Sequence, residues 1–202
     1  MSMNPGAMAL IVIDLQNDFL HPDGAYARGK SANPLAQALP ERIAPLARQV
    51  KQAGGLVVSS HFTLWPNAQG EPMISPHLKS LRPFLRQGDF APGSWGQQDV
   101  DALEGLVDFS VCKVAYSAFF NTQLDWALRR AGVHTVAVCG IVTNGGVAST
   151  VRDAHMRDYH TLVLSDGCAA FTEQVHQTSI ADMATVAQVL TCQELAQQIG
   201  TH

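Results

Sequence analysis

The stretch Gly140–Ala154, GIVTNGGVASTVRDA, follows an apolar run and predicts a strand that turns directly into a helix. The run His134–Cys139 supplies the strand, and apolar residues at helical spacing follow the turn. Two glycines, Gly145 and Gly146, stand at the turn itself, where a side chain would point toward the sheet edge. A helix start presents backbone N–H groups with partial positive charge, which suit an anion or an oxyanion. The pair of glycines is also compatible with a simple turn.

The rest of the chain repeats this alternation of strand and helix. Apolar runs predict strands at Met8–Asp14, Leu56–His61, Phe109–Lys113, His134–Cys139 and His160–Leu164, and a short one at Val189-Leu190. Helical spacing predicts helices over Ala38–Ala53, Asn121–Ala131, Gly145–Arg157 and Thr172–Ala187, with a closing turn at Glu194–Ile199. Such alternation is typical of βαβ units. We therefore expect an α/β fold, a three-layer α-β-α sandwich around a mostly parallel, doubly wound central sheet.

The segment Phe62–Val107 does not follow this pattern. It is long, rich in proline and glycine and only weakly periodic. Structureless loops of this length are uncommon in compact domains. We expect the segment to hold short helices and to cover part of the molecule.

Composition narrows the class of protein. The 202 residues are 47% hydrophobic and 15% charged, which is typical of one well-packed domain spanning residues 1–202. The net charge of −4 and the lack of a Lys/Arg run argue against nucleic-acid binding. Met1–Ala7 is short and polar and MALIVID is too short to cross a membrane, so we expect a cytoplasmic protein.

The four cysteines show no CxxC spacing. Cys112 and Cys139 lie inside apolar runs that predict strands. We therefore expect buried free thiols in a reducing compartment, with these two as inert core residues.

Ligands bind beyond the carboxyl ends of parallel strands, so polar residues that follow each strand are the candidate site. These are Asp14, His61, Lys113, the Ile141–Gly146 turn and Ser165-Asp166. Each has an alternative role: Asp14 could cap the next turn, Lys113 could reach solvent, and His61 could be structural or a substrate wall. Asp166 and Gly167 also resemble a turn. Five aromatic residues are candidate apolar walls, with core or dimer contacts equally open: Phe19, Phe62, Trp65, Trp95 and Phe119.

Five segments together resemble the isochorismatase-like hydrolases, which include nicotinamidases, maleamate and carbamoyl amidohydrolases, and isochorismatase itself. They are, in chain order, IVIDLQNDFL (11–20), PGSWG (92–96), KVAYSAFFNTQL (113–124), GIVTNGGVASTVRDAHMRDY (140–159) and LVLSDGCAAF (162–171). In that family an aspartate, a lysine and a cysteine form the catalytic group. Asp14 and Lys113 match the first two by position, whereas the place of the cysteine is taken by Gly146.

The resemblance carries further expectations. It implies a cis peptide at Ile141-Val142 and a substrate site formed by Phe19, His61, Val142, Asn144, Gly145 and Phe119. It implies a small-molecule substrate and a homo-oligomer, either a dimer or a tetramer. Metal-binding relatives place an aspartate and several histidines after the second strand, where SSHFTLWPN offers only His61, so we expect no metal. No nucleotide motif appears, so we expect no cofactor.

Three functions are compatible with the missing thiol. The isochorismatase branch also has glycine at this position, which favours hydrolysis of a vinyl ether with Asp14 as general acid and Lys113 holding a substrate carboxylate. A nearby ammonium, however, lowers the pKa of an aspartate that this reaction needs protonated. The second hypothesis is an amidohydrolase of the cysteine type whose nucleophile is replaced by Gly146, because VTNGGV otherwise matches the cysteine members. The third is a binding protein without catalysis.

Overall fold

The computed structural model describes residues 4–200. Six strands form one sheet: β1 (Met8–Ile13), β2 (Leu56–Phe62), β3 (Phe109–Lys113), β4 (Thr135–Ile141), β5 (His160–Ala169) and β6 (Gln188–Leu190). Eight α-helices connect and cover them: α1 (Asn17–Leu20), α2 (Ala25–Arg28), α3 (Leu39–Gln52), α4 (Pro76–Leu81), α5 (Leu124–Arg130), α6 (Ala148–Met156), α7 (Glu173–Met183) and α8 (Cys192–Gly200).

All neighbouring strands pair in parallel, in the order β3-β2-β1-β4-β5-β6. The chain winds outward from β1 in one direction and from β4 in the other. Helices α3 and α8 pack against each other and the sheet, and α6 and α7 do the same as a second pair. This confirms the predicted three-layer α/β sandwich with a doubly wound sheet. The open crevice of such a sheet lies where the winding reverses, here between β1 and β4.

The core follows directly from the apolar runs. Every residue of β1 is fully buried, as expected of a central strand covered on both faces. Helix α3 buries one stripe of residues, among them Ile43, Leu46 and Val50, at a spacing of three to four. Gly54 follows it with φ of +84°, a left-handed conformation that ends helices and favours glycine.

The structure differs from the predicted boundaries of β5, of α8 and of the helix that follows β4. Asp166 and Gly167 lie inside β5 rather than in a turn, because β5 resumes pairing with β4 after an irregularity in register. The predicted turn Glu194–Ile199 belongs to α8. The helix predicted from Gly145 begins as a π-helical turn, Thr143–Val147, before α6.

The cysteine prediction holds for three of the four residues. Cys139, Cys168 and Cys192 are buried free thiols. Cys112 is exposed, contrary to the prediction, because β3 is an edge strand with alternating burial.

The long segment Phe62–Val107 does contain short helices, α4 and the single 3₁₀ turns Trp95–Gln97 and Asp101–Leu103. Between residues 4 and 200 no helix is long and apolar enough to span a membrane. The prediction of one domain over residues 1–202 also takes in residues 1–3 and 201–202, which lie outside the described residues.

Candidate active site

A cavity of about 230 Å³ lies at the carboxyl ends of β1 and β4, where the winding of the sheet reverses. Asp14 follows β1, Lys113 ends β3, and Ile141, Val142 and Gly146 lie at the end of β4 and in the turn after it; all five line the cavity. The sheet topology thus brings together residues that are more than 130 positions apart in the sequence.

Asp14 is held rigidly at the floor of the cavity. It is 5% exposed and has φ of +57°, a conformation that aspartate tolerates better than most residues. Its amide donates to the Ser60 carbonyl oxygen at 3.0 Å, and its Oδ1 accepts from Ser60 Oγ at 3.0 Å. Both contacts tie Asp14 to β2, which pairs with β1, so the orientation of the carboxylate is set by the sheet.

Lys113 reaches the same point from a strand that does not touch β1. Strand β2 lies between β1 and β3, and the lysine side chain spans it, with Nζ 2.7 Å from Asp14 Oδ2. Nζ also donates to the Ala115 carbonyl oxygen at 3.1 Å and lies 5.6 Å from the ring centroid of Phe62. Lys113 is 2% exposed, which excludes the alternative that it extends to solvent.

Burial dominates the electrostatics of this pair. Desolvation raises the pKa of the Asp14 carboxyl above its usual value, although the Lys113 ammonium and the Ser60 hydroxyl act in the opposite direction. A raised carboxyl pKa lies closer to neutral pH, and a group transfers protons most effectively when its pKa is near the working pH. Desolvation and the Lys113 ammonium therefore act on the Asp14 pKa in opposite directions, and desolvation is the larger of the two influences.

The turn after β4 is fixed by several contacts. The Ile141-Val142 peptide is cis, as the resemblance implied. The amides of Gly145 and Val147 both donate to the Val142 carbonyl oxygen, at 2.9 and 3.3 Å, so these two amides are not free to bind a substrate oxyanion. The Gly146 carbonyl oxygen accepts from Thr150 Oγ at 2.7 Å.

Gly146 exposes bare backbone beside Asp14. A Cβ at this position would lie 3.5 Å from Asp14 Oδ2 and 3.1 Å from the Ile141 carbonyl oxygen, but only 2.8 Å from Ile13 Cγ2. Gly146 does not have positive φ, so backbone conformation does not demand glycine here. The packing of Ile13 is what restricts the position. None of the four cysteines lines the cavity, so the site contains no thiol.

The structure separates the predicted substrate-site residues into two groups. Phe19 and Val142 line the cavity with the catalytic candidates, and so does Phe62. Four others do not line it: His61, Asn144, Gly145 and Phe119.

Each of these four has a different environment. His61 Nε2 lies 3.1 Å from Asp99 Oδ2, and Phe119 is buried against Tyr159 with ring centroids 5.9 Å apart. Asn144 is exposed, and Gly145 packs beside Tyr116 and Val142. Trp65 and Trp95 are half exposed and also lie outside the cavity lining.

The sequence reasoning missed several lining residues, because they lie in loops and short helices that carry no periodic signal. They include Tyr26, Asn33, Arg82, Tyr116 and Phe171. Two of them had a signal, because Tyr116 lies in the quoted segment KVAYSAFFNTQL and Phe171 ends the quoted segment LVLSDGCAAF. Over residues 4–200, no group of three or more His, Cys, Asp or Glu side chains is arranged to hold a metal ion.

Comparison with known proteins agrees with the fold. The family model "Isochorismatase domain" matches residues 8–194. Ureidoacrylate amidohydrolase RutB of Methylobacterium radiotolerans is 34% identical over 202 residues, covering 91% of this chain and 76% of the relative. Two solved structures are also similar. A cysteine hydrolase from Pseudomonas syringae pv. phaseolicola has 27% identity and a TM-score of 0.84, covering 100% of this chain and 96% of the other. N-carbamoylsarcosine amidase from Thermoplasma acidophilum has 25% identity and a TM-score of 0.71, covering 92% and 96%.

The α/β fold together with these relatives indicates a hydrolase. The chain belongs to the isochorismatase family.

Proposed function

We propose that this chain hydrolyses a C–N bond in a small amide or ureido compound, with water as the nucleophile and Asp14 as the proton-transfer group. Two relatives act on such compounds by name, a ureidoacrylate amidohydrolase and an N-carbamoylsarcosine amidase. They favour this reaction over the vinyl-ether hydrolysis that the glycine at position 146 suggested. The observation that carries the proposal is the buried Asp14–Lys113 pair beside the bare backbone of Gly146.

The space that a side chain at position 146 would fill is suited to a water molecule. The position of an added Cβ lies 3.1 Å from the Ile141 carbonyl oxygen and 3.5 Å from Asp14 Oδ2, and both of these atoms accept hydrogen bonds. The attacking water is proposed to lie beyond this point, at van der Waals distance from the Gly146 backbone, and to donate one proton to each acceptor. Its lone pair then points away from both acceptors, toward a substrate carbonyl carbon in the cavity.

The reaction needs one proton-transfer group used twice. Asp14 accepts a proton as the water oxygen bonds to the carbonyl carbon, and the Lys113 ammonium stabilises the negative charge that develops on the carbonyl oxygen. Asp14 then returns the proton to the leaving nitrogen as the C–N bond breaks. The products are a carboxylic or carbamic acid and an amine or ammonia, and no covalent intermediate forms.

A panel of small amides and ureido compounds, assayed for release of ammonia or amine, tests the proposal. We expect turnover by the wild type and a loss of about a hundredfold to ten-thousandfold in Asp14→Asn, because a positioned proton-transfer group contributes about 10²–10⁴ in rate. Asp108→Asn is the matched control, since Asp108 is a half-buried acid that pairs with Lys51 outside the cavity. Wild-type turnover that survives in Asp14→Asn contradicts the mechanism.

Vinyl-ether hydrolysis is the second candidate, supported by the raised pKa of the Asp14 carboxyl and by a cavity without a thiol. There Asp14 would protonate the vinyl carbon, and water would add to the resulting cation. Release of pyruvate from isochorismate, without release of ammonia from any amide, would favour this reaction over the first. A protein that binds these ligands and turns over none of them would instead be a binding protein.

We also propose that the chain assembles as a homo-oligomer, either a dimer or a tetramer. Large apolar side chains are exposed on and near the segment that follows β3: Tyr116 (49%), Phe120 (51%) and Trp126 (68%). Light scattering on the eluted protein measures the state directly, and a monomeric mass at micromolar concentration would contradict the proposal.

A further inference from the structure

Two buried nitrogen atoms on the cavity lining lack hydrogen-bond partners. They are Asn33 Nδ2 and Arg82 Nη1, both buried and unpaired among residues 4–200. Both are obligate donors, and a buried donor without an acceptor costs free energy. Because both atoms lie on the cavity lining, their acceptors can be supplied by a molecule bound in the cavity.

Each side chain is already fixed in place by its other atoms. Asn33 Oδ1 accepts from the Leu35 amide at 3.1 Å, which commits its oxygen and leaves Nδ2 directed elsewhere. Arg82 Nε donates to the Tyr26 hydroxyl oxygen. The orientation of both groups is therefore set before a ligand binds, which lowers the entropic cost of binding.

The charges around the cavity point to an anion. Asp14 and Lys113 neutralise each other at 2.7 Å, whereas the Arg82 guanidinium has no carboxylate within ion-pair distance in the described chain. Burial raises the pKa of the Tyr26 hydroxyl, which keeps its proton as a further donor next to Arg82. The lining thus offers an uncompensated positive charge and several donors.

We propose that Arg82 and Asn33 form a subsite for a carboxylate group of the substrate. This inference rests on the proposed function and specifies its substrate: a small amide or ureido acid, whose C–N bond lies at Asp14 and whose carboxylate lies at Arg82. A carboxylate has the four lone-pair positions that these separate donors require, and it forms charge-assisted hydrogen bonds with arginine. The cavity of about 230 Å³ holds roughly eight water-sized groups at about 30 Å³ each, which fits a short acid of this kind.

Arg82 directly follows α4 in the long loop-rich segment between β2 and β3, and Asn33 precedes the 3₁₀ turn Pro34–Ala36. Neither belongs to the sheet that carries Asp14. Ser31 and Ala32 line a second surface depression together with Arg82, which places the chain before Asn33 beside Arg82. Chemistry and recognition are thus supplied by different parts of the fold.

Binding of ligands that lack a C–N bond tests the subsite separately from catalysis. The probes are 4-oxopentanoate and 5-hydroxypentan-2-one, which share a ketone and a similar length but differ in charge. Dissociation constants from ligand-observed NMR should favour the carboxylate by tenfold or more in the wild type. Arg82→Met should remove this preference, and Asn33→Asp should reduce it, while the affinity for the neutral ketone changes less than twofold.

Arg86→Met is the matched control, because Arg86 is an exposed arginine nearby that does not line the cavity. It should keep the wild-type preference. Equal affinities of the wild type for both probes, or a preference that persists in Arg82→Met, overturn the subsite. Because wild-type preference is measured without any variant, the test holds even if Arg82→Met fails to fold. If the protein prefers the carboxylate probe but turns over no amide acid, the subsite is retained and the proposed function is refuted. If it turns over neutral amides and shows no carboxylate preference, the proposed function is retained and the subsite is refuted.

Discussion

Position 146 is where the proposed mechanism is most sensitive to a single atom. In Gly146→Ala, the added Cβ would lie 3.1 Å from the Ile141 carbonyl oxygen and 3.5 Å from Asp14 Oδ2, and it would crowd the space proposed for the attacking water. We expect C–N hydrolysis to fall by tenfold or more, because the water would lose its contact with Asp14. Substrate affinity should change far less, since the subsite at Arg82 is untouched.

The cost in stability can be worked from the same contacts. The 2.8 Å approach to Ile13 Cγ2 is an overpacked contact, and such contacts in a core cost about 1–3 kcal/mol. Replacing glycine with alanine in a compatible backbone conformation stabilises the folded protein by about 0.4–1 kcal/mol, because it lowers the entropy of the unfolded chain. The net loss is therefore at most about 2.6 kcal/mol, which corresponds to a Tm lowered by at most about 10 °C in a protein of this size. The variant should therefore be folded at assay temperature.

Gly146→Cys introduces the same Cβ together with a nucleophile. The Lys113 ammonium and the helix start favour a thiolate, so the pKa of the introduced thiol should be depressed and Asp14 should serve as its proton partner. Relative to Gly146→Ala, this variant should regain ammonia release from an amide or ureido compound. Mass spectrometry of the quenched reaction should detect an acyl group on the protein.

Two results would refute this reasoning. Wild-type rates in Gly146→Ala would show that the water does not attack from the space beside Gly146. A Gly146→Cys variant with no acyl adduct and no amide turnover, in a protein whose wild type releases pyruvate from a vinyl ether, would show that the cavity is built for the second candidate reaction.

Three further perturbations test the environment of the site. Lys113→Met leaves a buried carboxylate without its partner and should lower the free energy of unfolding by about 3–5 kcal/mol in urea titrations at pH 7. Lys51→Met breaks a half-exposed pair with Asp108 and should cost about 1 kcal/mol or less. Similar losses in the two variants would contradict the buried Asp14–Lys113 ion pair. Because the pKa of the Asp14 carboxyl is raised in the folded state, its contribution is complete below about pH 4 and is lost as the pH rises through the folded pKa. The stability of the wild type relative to Asp14→Asn should therefore fall as the pH rises above about 4, and a constant or rising difference would exclude the shift. Finally, Ellman's reagent should label one thiol rapidly in the native protein, Cys112, and the rapid phase should disappear in Cys112→Ser; rapid labelling of the three buried cysteines would contradict the observed burial.

Much of the fold was determined by short-range patterns in the sequence. The fully apolar run before Asp14 requires a strand covered on both faces, and its alternation with amphipathic helices requires parallel strands. Once the strands are parallel, their carboxyl ends share one edge of the sheet. Asp14, Lys113 and the turn containing Gly146 could therefore be assigned to a common site from their positions after strands alone.

The sequence could not determine contacts that depend on the order of the strands in the sheet or on segments without regular secondary structure. The exposure of Cys112 follows from β3 lying at the edge of the sheet, and no property of the run FSVCK distinguishes an edge strand from a central one. His61 and Phe62 end the same strand, yet only Phe62 lines the cavity, because successive side chains point to opposite faces.

Arg82 and Asn33 reach the cavity from segments without hydrophobic periodicity, so no local pattern indicated them. Arg82 lies in the long segment between β2 and β3, and Asn33 lies in the connection between α2 and α3. How these two segments meet at the cavity is decided by packing between distant parts of the chain. The sequence by itself determined where Asp14, Lys113 and Gly146 lie, because they are attached to strands. Only the tertiary structure decided which other side chains line the cavity, because those are supplied by loops whose path depends on the whole molecule.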